Sequence, residues 1–179
     1  MQRVSNHQIA LKPQDLMALL KLADLRGEPE SYERLAASLG MSPSEVHASV
    51  ARAKAARLIQ MEGSRPLVIR SALRDFILHG AKYAFPATVG AMTRGVPTSY
   101  AAPPLVSQLS QPSGEPPPVW PDPQGERRGL AFYPLYPSAP DAARKDPSLY
   151  ESLALFDALR GGSARERQLA SKLLAERLG

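Results

Sequence analysis

Histidines and carboxylates are the side chains best suited to catalysis or metal binding, and their spacing in this sequence argues against both. The three histidines, His7, His47 and His79, show no metal-ligand spacing. Asp122 and Glu126 lie close together, but turns often carry such acids and nothing marks these two as a catalytic pair. The sequence has no G-x-S-x-G motif, no phosphate-binding P-loop and no dinucleotide glycine motif. We therefore expect no enzymatic activity and no cofactor.

Composition narrows the remaining classes of protein. A chain of 179 residues that is 44% hydrophobic can bury one ordinary core. The absence of cysteine excludes disulfides and thiolate metal sites and agrees with a reducing cytosol. The start of the chain has no apolar signal region, and no stretch approaches the length of a membrane span. These features predict a cytoplasmic protein with no membrane partner, and the net charge of +5 permits nucleic-acid binding.

Residues 31–58, SYERLAASLGMSPSEVHASVARAKAARL, predict two short helices joined by a tight turn. Ser31 is placed as the N-cap of the first helix, and Gly40 suits a left-handed exit after it. Ser42, Pro43 and Glu45 form a capping box with proline in the first turn of the second helix, which we expect to run to Arg57. Residues 46–57 contain three basic residues and no acidic one.

The neighbouring segments predict the elements that hold this helix pair. An amphipathic helix begins at Pro13 and ends before Gly27. After the pair, the segment LIQMEGSRPLVIR alternates around a Gly-Ser turn, which predicts a β-hairpin. A further helix is expected from a Ser71 cap to Gly80. The predicted order is helix, helix, tight turn, helix, hairpin, helix.

This order resembles a winged helix-turn-helix domain, similar to the MarR-type bacterial transcription regulators. The residues that carry the resemblance are Leu35, Ala36, Leu39, Gly40, Val46 and Val50, within residues 12–80. The fold class it implies is mainly α with a small β-hairpin wing (α+β). Such a fold would comprise a winged helix-turn-helix domain at 1–80, a proline-rich irregular segment at 81–147 and a C-terminal helical hairpin at 148–179. The expected partner is double-stranded DNA, bound by a homodimer.

The resemblance also assigns roles to side chains of the second motif helix and the hairpin. Ser44, His47 and Ala48 are expected near base edges in the major groove. Arg52 and Lys54 are better placed for phosphate. Two further residues complete the predicted DNA-binding set, namely Ser42 at the helix start and Arg65 at the hairpin tip. The alternative is that the helix presents an ordinary solvated face and that Arg65 only keeps the hairpin tip soluble.

The proline-rich segment 81–147 carries seven of the eleven aromatic residues, so part of it is expected to pack. Residues 119–137 are interpreted as two extended pieces forming a hairpin around Asp-Pro-Gln-Gly. Three roles remain open for the segment. In the first, the segment would form an effector pocket lined by Trp120, with Arg94, Arg127 or Arg128 binding an anion. In the second, it would bind a protein partner. In the third, it would be a strap that covers the first domain.

Residues 148–179 predict two amphipathic helices, the first capped by Asp146 and the second by Ser163 with Glu166. In MarR-like regulators such terminal helices build the dimer interface; packing onto the chain's own core is the alternative. The functional hypothesis is a dimeric transcriptional repressor with a possible small-molecule effector. The second hypothesis is an antitoxin-like or assembly protein that uses the winged helix and the proline-rich segment to bind a protein partner.

Overall fold

The computed structural model describes residues 9–109 and 114–179 and has mixed α/β architecture. The first part contains α1 (Pro13–Asp24), α2 (Tyr32–Leu39), α3 (Pro43–Ala55), strands β1 (Ile59–Glu62) and β2 (Arg65–Val68), and α4 (Arg70–Phe76). A π-helical turn (Ile77–Ala81) and the short α5 (Lys82–Ala84) follow α4. The second part contains β3 (Val89–Pro97), β4 (Pro118–Pro121), β5 (Arg127–Phe132), α6 (Ala139–Lys145), α7 (Pro147–Gly161) and α8 (Ala164–Arg177). No helix within the described ranges is long and apolar enough to cross a membrane.

The capping signals of α2 and α3 are confirmed. The Ser31 hydroxyl accepts a hydrogen bond from the Arg34 N–H, and Gly40 ends α2 with φ of 64°. Ser42 and Glu45 form the predicted capping box at the start of α3. Each cap satisfies backbone groups that the helix end leaves without an intrahelical partner, so the turn between α2 and α3 is held at both sides.

The first hairpin is confirmed, whereas the predicted ends of α4 are wrong. Strands β1 and β2 pair antiparallel from Ile59 opposite Val68 to Glu62 opposite Arg65. The hairpin hydrogen bonding continues to Ile69, whose N–H donates to the Leu58 carbonyl, so Ile69 rather than Ser71 is the N-cap of α4. At the other end, the π-helical turn carries the chain through Gly80 without ending the helix.

Strands β3, β4 and β5 form a small closed barrel, so the hairpin predicted at 119–137 is wrong. Both β4 and β5 pair antiparallel with β3 and parallel with each other. Three glycines make the close approach possible. A Cβ on Gly95, Gly125 or Gly129 would lie within 2.0–2.2 Å of a backbone atom of a neighbouring segment. The chain therefore requires residues without a side chain where the strands cross.

Helix α7 is the centre of the hydrophobic core. All residues from 152 to 159 are buried, and the apolar ones other than Ala154 belong to the same core as the buried faces of α1, α2 and α3. Helix α8 covers one side of α7 and buries Ala170 and Leu174. The predicted helix pair is confirmed, but α7 packs on the chain's own core, so its apolar side chains are not available for a dimer interface.

A buried carboxylate joins the barrel to α7. Asp157 accepts hydrogen bonds from the Thr98 hydroxyl (2.6 Å), the Trp120 indole N–H (2.6 Å) and Arg160 Nε (2.8 Å). Arg160 is also buried, donates to the Tyr133 carbonyl at 2.8 Å and lies over an aromatic ring face. Burial raises the pKa of Asp157, although the Arg160 charge and the three donors oppose this effect.

Replacing Asp157 with alanine should lower the free energy of unfolding by about 4 kcal/mol, because it leaves a buried arginine and an indole N–H without their acceptor. Urea denaturation followed by circular dichroism measures this loss. Asp141→Ala provides the control, since Asp141 is exposed and pairs with Arg144 at the surface, where a change within about 0.5 kcal/mol is expected. Equal effects of the two substitutions would contradict the central role of Asp157.

Candidate nucleic-acid interface

The first half of α3 presents the polar side chains that the sequence predicted on its outer surface. Ser42, Ser44 and His47 are exposed and Ala48 is half-buried. The opposite side of the helix, with Val46, Val50 and Ala53, is buried in the core. The helix is therefore fixed on its apolar side. No segment of the described residues covers the polar side of its first half.

A cleft of about 500 Å³ lies between this surface and the β1–β2 hairpin. It brings together His47 from α3 and Arg65 from the hairpin, two of the predicted DNA-binding residues. Its lining consists of Pro29, Glu30, Ser31, Tyr32, His47, Ser64, Arg65 and Pro66. The tertiary fold thus places two sequence-distant candidates at one concave surface.

Tyr32 is a member of this surface that the sequence analysis missed. Its ring meets the His47 imidazole edge to face, with centroids 4.1 Å apart and an interplanar angle of 82°. Partial burial raises the pKa of the Tyr32 hydroxyl. The contact fixes the His47 ring from one side and leaves the imidazole exposed, which suits a side chain that positions a hydrogen bond. The only sequence signal was the place of Tyr32 directly after the Ser31 cap.

Arg65 lies at the cleft but is held by the protein itself. Its guanidinium donates to the Gly27 carbonyl at 3.0 Å and forms an ion pair with Glu62. The side chains of both ion-pair partners are well exposed, at 39% and 65%, so this pair is weak. The pair therefore contributes little to stability, and Glu62 places a negative charge beside Arg65.

Arg52 is not on the outer surface, and the prediction that it faces outward is wrong. Its Nε and Nη2 donate to the two carboxylate oxygens of Asp15 at 2.7 and 2.6 Å. Asp15 is fully buried in α1, and only 16% of the Arg52 side chain is exposed. The hydrogen bonds to Asp15 raise the pKa of Arg52. No local pattern in the sequence indicates this pair, since the two residues are 37 positions apart.

The start of α3 is also anchored to the segment that follows β5. The Tyr136 hydroxyl donates to Glu45 at 2.8 Å, and the Ser138 hydroxyl donates to the Leu39 carbonyl at 2.6 Å. Hydrogen bonds from the Ser42 N–H, from Tyr136 and from the Ser42 hydroxyl lower the pKa of Glu45. Part of the proline-rich segment therefore acts as a strap that orients α3, which is one of the three roles the sequence left open.

Lys54 and Arg57 are the exposed basic residues at the C-terminal end of the α3 segment. Arg65 lines the cleft, whereas Lys54 and Arg57 lie further along the α3 segment. The acid at the helix start, Glu45, partly offsets them. The surface is consequently only mildly basic.

The alternative of an effector pocket lined by Trp120 is contradicted, because the indole is fully buried and donates to Asp157. Arg94, Arg127 and Arg128 are exposed on the barrel. His7 lies outside the described residues. Within residues 9–109 and 114–179, no group of three or more metal-ligating side chains converges.

Comparisons of this chain with protein-family models, with curated proteins and with solved structures found no match.

Replacing Arg52 with alanine should destabilise the protein by about 3 kcal/mol, because it leaves the Asp15 carboxylate buried without its cation. Urea denaturation measures the change in the free energy of unfolding. The matched control is Lys54→Ala on the same helix, for which the exposed side chain predicts a change within about 0.5 kcal/mol. If Arg52→Ala were as mild as Lys54→Ala, the ion pair with Asp15 would not hold α1 and α3 together.

The contribution of Glu45 to stability should depend on pH. Its folded-state pKa is lower than its ordinary value of 4.5, so the carboxylate stabilises the fold above that pH. This contribution is lost as the pH falls through the depressed folded-state pKa. Comparing the unfolding of wild type and Glu45→Ala from pH 7 down to pH 3 tests the sign. A difference that grew on acidification would contradict the assignment.

Proposed function

We propose that this chain is a sequence-specific regulator of transcription that binds double-stranded DNA through a winged helix-turn-helix surface. Helix α3 is the element that enters the major groove, and the β1–β2 hairpin is the wing. The observation that carries the proposal is the cleft in which His47 of α3 faces Ser64 and Arg65 of the hairpin. Two elements that would contact adjacent parts of a duplex thus share one concave surface.

The properties of α3 support its role as the reading element. Its N-terminal half exposes Ser42, Ser44 and His47, whose side chains can donate and accept hydrogen bonds. Base edges in the major groove present donors and acceptors of both kinds. Ala48, next to His47, is small and leaves room for the helix to approach the bases closely.

The modest charge of the surface favours binding by two copies. Lys54, Arg57 and Arg65 can neutralise only a few phosphates, and the affinity of one such surface in physiological salt would be low. A homodimer would present two α3 helices to two half-sites and act as a repressor where the site overlaps a promoter. Its interface must lie outside the buried surface of α7.

Two observations favour the second candidate function, a protein-binding module. Arg52 is bound internally, and Glu45 places an acid at the start of α3. Both reduce the attraction of this surface for DNA. A winged helix of this type could instead dock an antitoxin-like or assembly partner.

DNA binding is tested by titrating the protein against a fluorescent fragment of its own upstream region, at several salt concentrations and with unrelated competitor DNA. Sequence-specific binding should survive the competitor and weaken steeply as salt rises. Lys54→Ala should weaken binding to all sequences and reduce the salt slope by about one. His47→Ala should lower the preference for the specific fragment by about tenfold.

The control is Lys172→Ala, which removes the same charge from the exposed surface of α8. It should leave DNA binding unchanged. Equal and weak binding of both DNAs by the wild type would overturn the proposal and leave the protein-binding candidate.

A further inference from the structure

The β3–β5 face of the barrel carries two cross-strand pairs of exposed side chains. Arg94 lies directly opposite Arg128, and Met92 lies directly opposite Leu130. Directly opposed residues of an antiparallel pair point to the same side of the sheet, and alternate residues along a strand share that side. These four residues therefore form one surface, called here the barrel face.

The arginine half of the barrel face has an uncompensated positive charge. Both guanidinium groups are exposed, and neither forms an ion pair with any residue in the described ranges. Like charges directly opposite each other destabilise a strand pair. A carboxylate bound between them would relieve this repulsion and receive the paired N–H groups that arginine offers.

The other half of the barrel face is apolar and exposed. Met92 has 49% of its surface exposed and Leu130 has 43%. Val89 and Tyr133, also exposed, lie at the same end of the β3–β5 pair, where the Tyr133 N–H donates to the Thr88 carbonyl. Exposed apolar side chains grouped in this way mark protein-interaction surfaces, and methionine, tyrosine and arginine are enriched at such interfaces.

A small cavity adjoins the barrel face at Leu130. Its volume of about 200 Å³ is below the roughly 300 Å³ at which small-molecule sites begin, so it is suited to one apolar side chain of a partner. Two acids, Glu115 and Glu166, stand at its rim and help to raise the pKa of Tyr100, after the larger effect of burial. The cavity lies between β3, β5 and the turn from α7 to α8. Its lining includes Val89, Tyr100, Leu130, Phe132 and Gly161.

We infer that the barrel face docks an acidic segment of a partner protein that also carries an apolar anchor. The acidic residue binds between Arg94 and Arg128, and the anchor packs on Met92 and Leu130 and enters the cavity. The rim acids repel a segment bound in the opposite direction, so the charges set its orientation. A nucleic-acid backbone would match the arginines but leave the apolar half exposed. The inference does not depend on DNA binding by α3.

A selection from random peptides displayed on phage tests this inference with the whole protein immobilised. Peptides enriched by the wild type should combine Asp or Glu with Leu, Phe or Met a few positions away. A synthetic, fluorescently labelled copy of the strongest peptide then gives affinities by anisotropy. Replacing both Arg94 and Arg128 with glutamate should lower the affinity for that peptide by tenfold or more, because two favourable charge contacts become repulsive.

Two sets of variants make the result specific. Arg127→Glu is the matched control, since Arg127 is exposed, adjacent to Arg128 in sequence and on the opposite side of the strand. It should change the affinity for the peptide by less than about threefold, through long-range electrostatics alone. Replacing Met92 and Leu130 with serine should also lower the affinity for the peptide. Circular dichroism checks that each variant is folded.

Three results would overturn the inference. The first is a selection that enriches no acidic and apolar peptides. The second is an equal loss of affinity in Arg127→Glu and in the Arg94 and Arg128 double variant. The third is binding of labelled oligothymidine that depends on Arg94 and Arg128 while peptide binding does not, which would assign the barrel face to nucleic acid. DNA binding by the upstream fragment is measured separately, so failure of one proposal is distinguishable from failure of the other.

Discussion

The Asp157 carboxylate is the constraint on which the arrangement of the second half of the molecule depends. It is the point where the end of β3, through Thr98, and the strand β4, through Trp120, meet α7. Arg160 extends the connection to the carbonyl after β5. A buried ion pair adds little stability compared with apolar packing, but its hydrogen bonds have fixed directions. The barrel has few large apolar residues to bury, so these directional bonds, rather than a large core of its own, hold it at one position on α7.

That position also decides where the candidate DNA-binding surface points. The chain leaving β5 reaches α2 and α3 within a few residues, where Tyr136 binds Glu45 and Ser138 binds the Leu39 carbonyl. A Cβ on Gly40 would approach the Ser138 side chain to 2.9 Å, so the strap fits closely against the turn. From the other side, Asp15 of α1 holds Arg52 of α3. Helix α3 is therefore clamped at its start by the strap and near its end by α1, and its polar side is presented rigidly, as a reading surface requires.

The sequence predicted the parts of this structure that depend on residues a few positions apart. Ser31, Gly40 and the Ser42–Glu45 box mark helix ends because a cap is completed within three or four residues. The larger errors involve partners far apart in the chain. Arg52 looked like a surface cation because Asp15 was 37 residues away, and β4 and β5 looked like a hairpin because their common partner β3 precedes them by more than twenty residues. The cleft that brings His47 and Arg65 together was likewise not predicted, although the sequence analysis named each residue separately as a DNA-binding candidate.

The distribution of arginines explains why net charge was an uncertain guide to binding. Arg52, Arg70, Arg160 and Arg177 are held by internal acceptors; Arg70 donates to three carbonyl groups, from Ala23, Arg177 and Gly179. These cations contribute to the charge of +5 but not to recognition of a partner by direct contact. The exposed cations without internal acceptors in the described residues include two groups, Lys54 and Arg57 on the α3 segment and Arg94 and Arg128 on the barrel face. Different elements carry the two groups, so a substitution in one leaves the contacts of the other intact. Point variants can therefore separate a role in binding DNA from a role in binding an acidic protein segment.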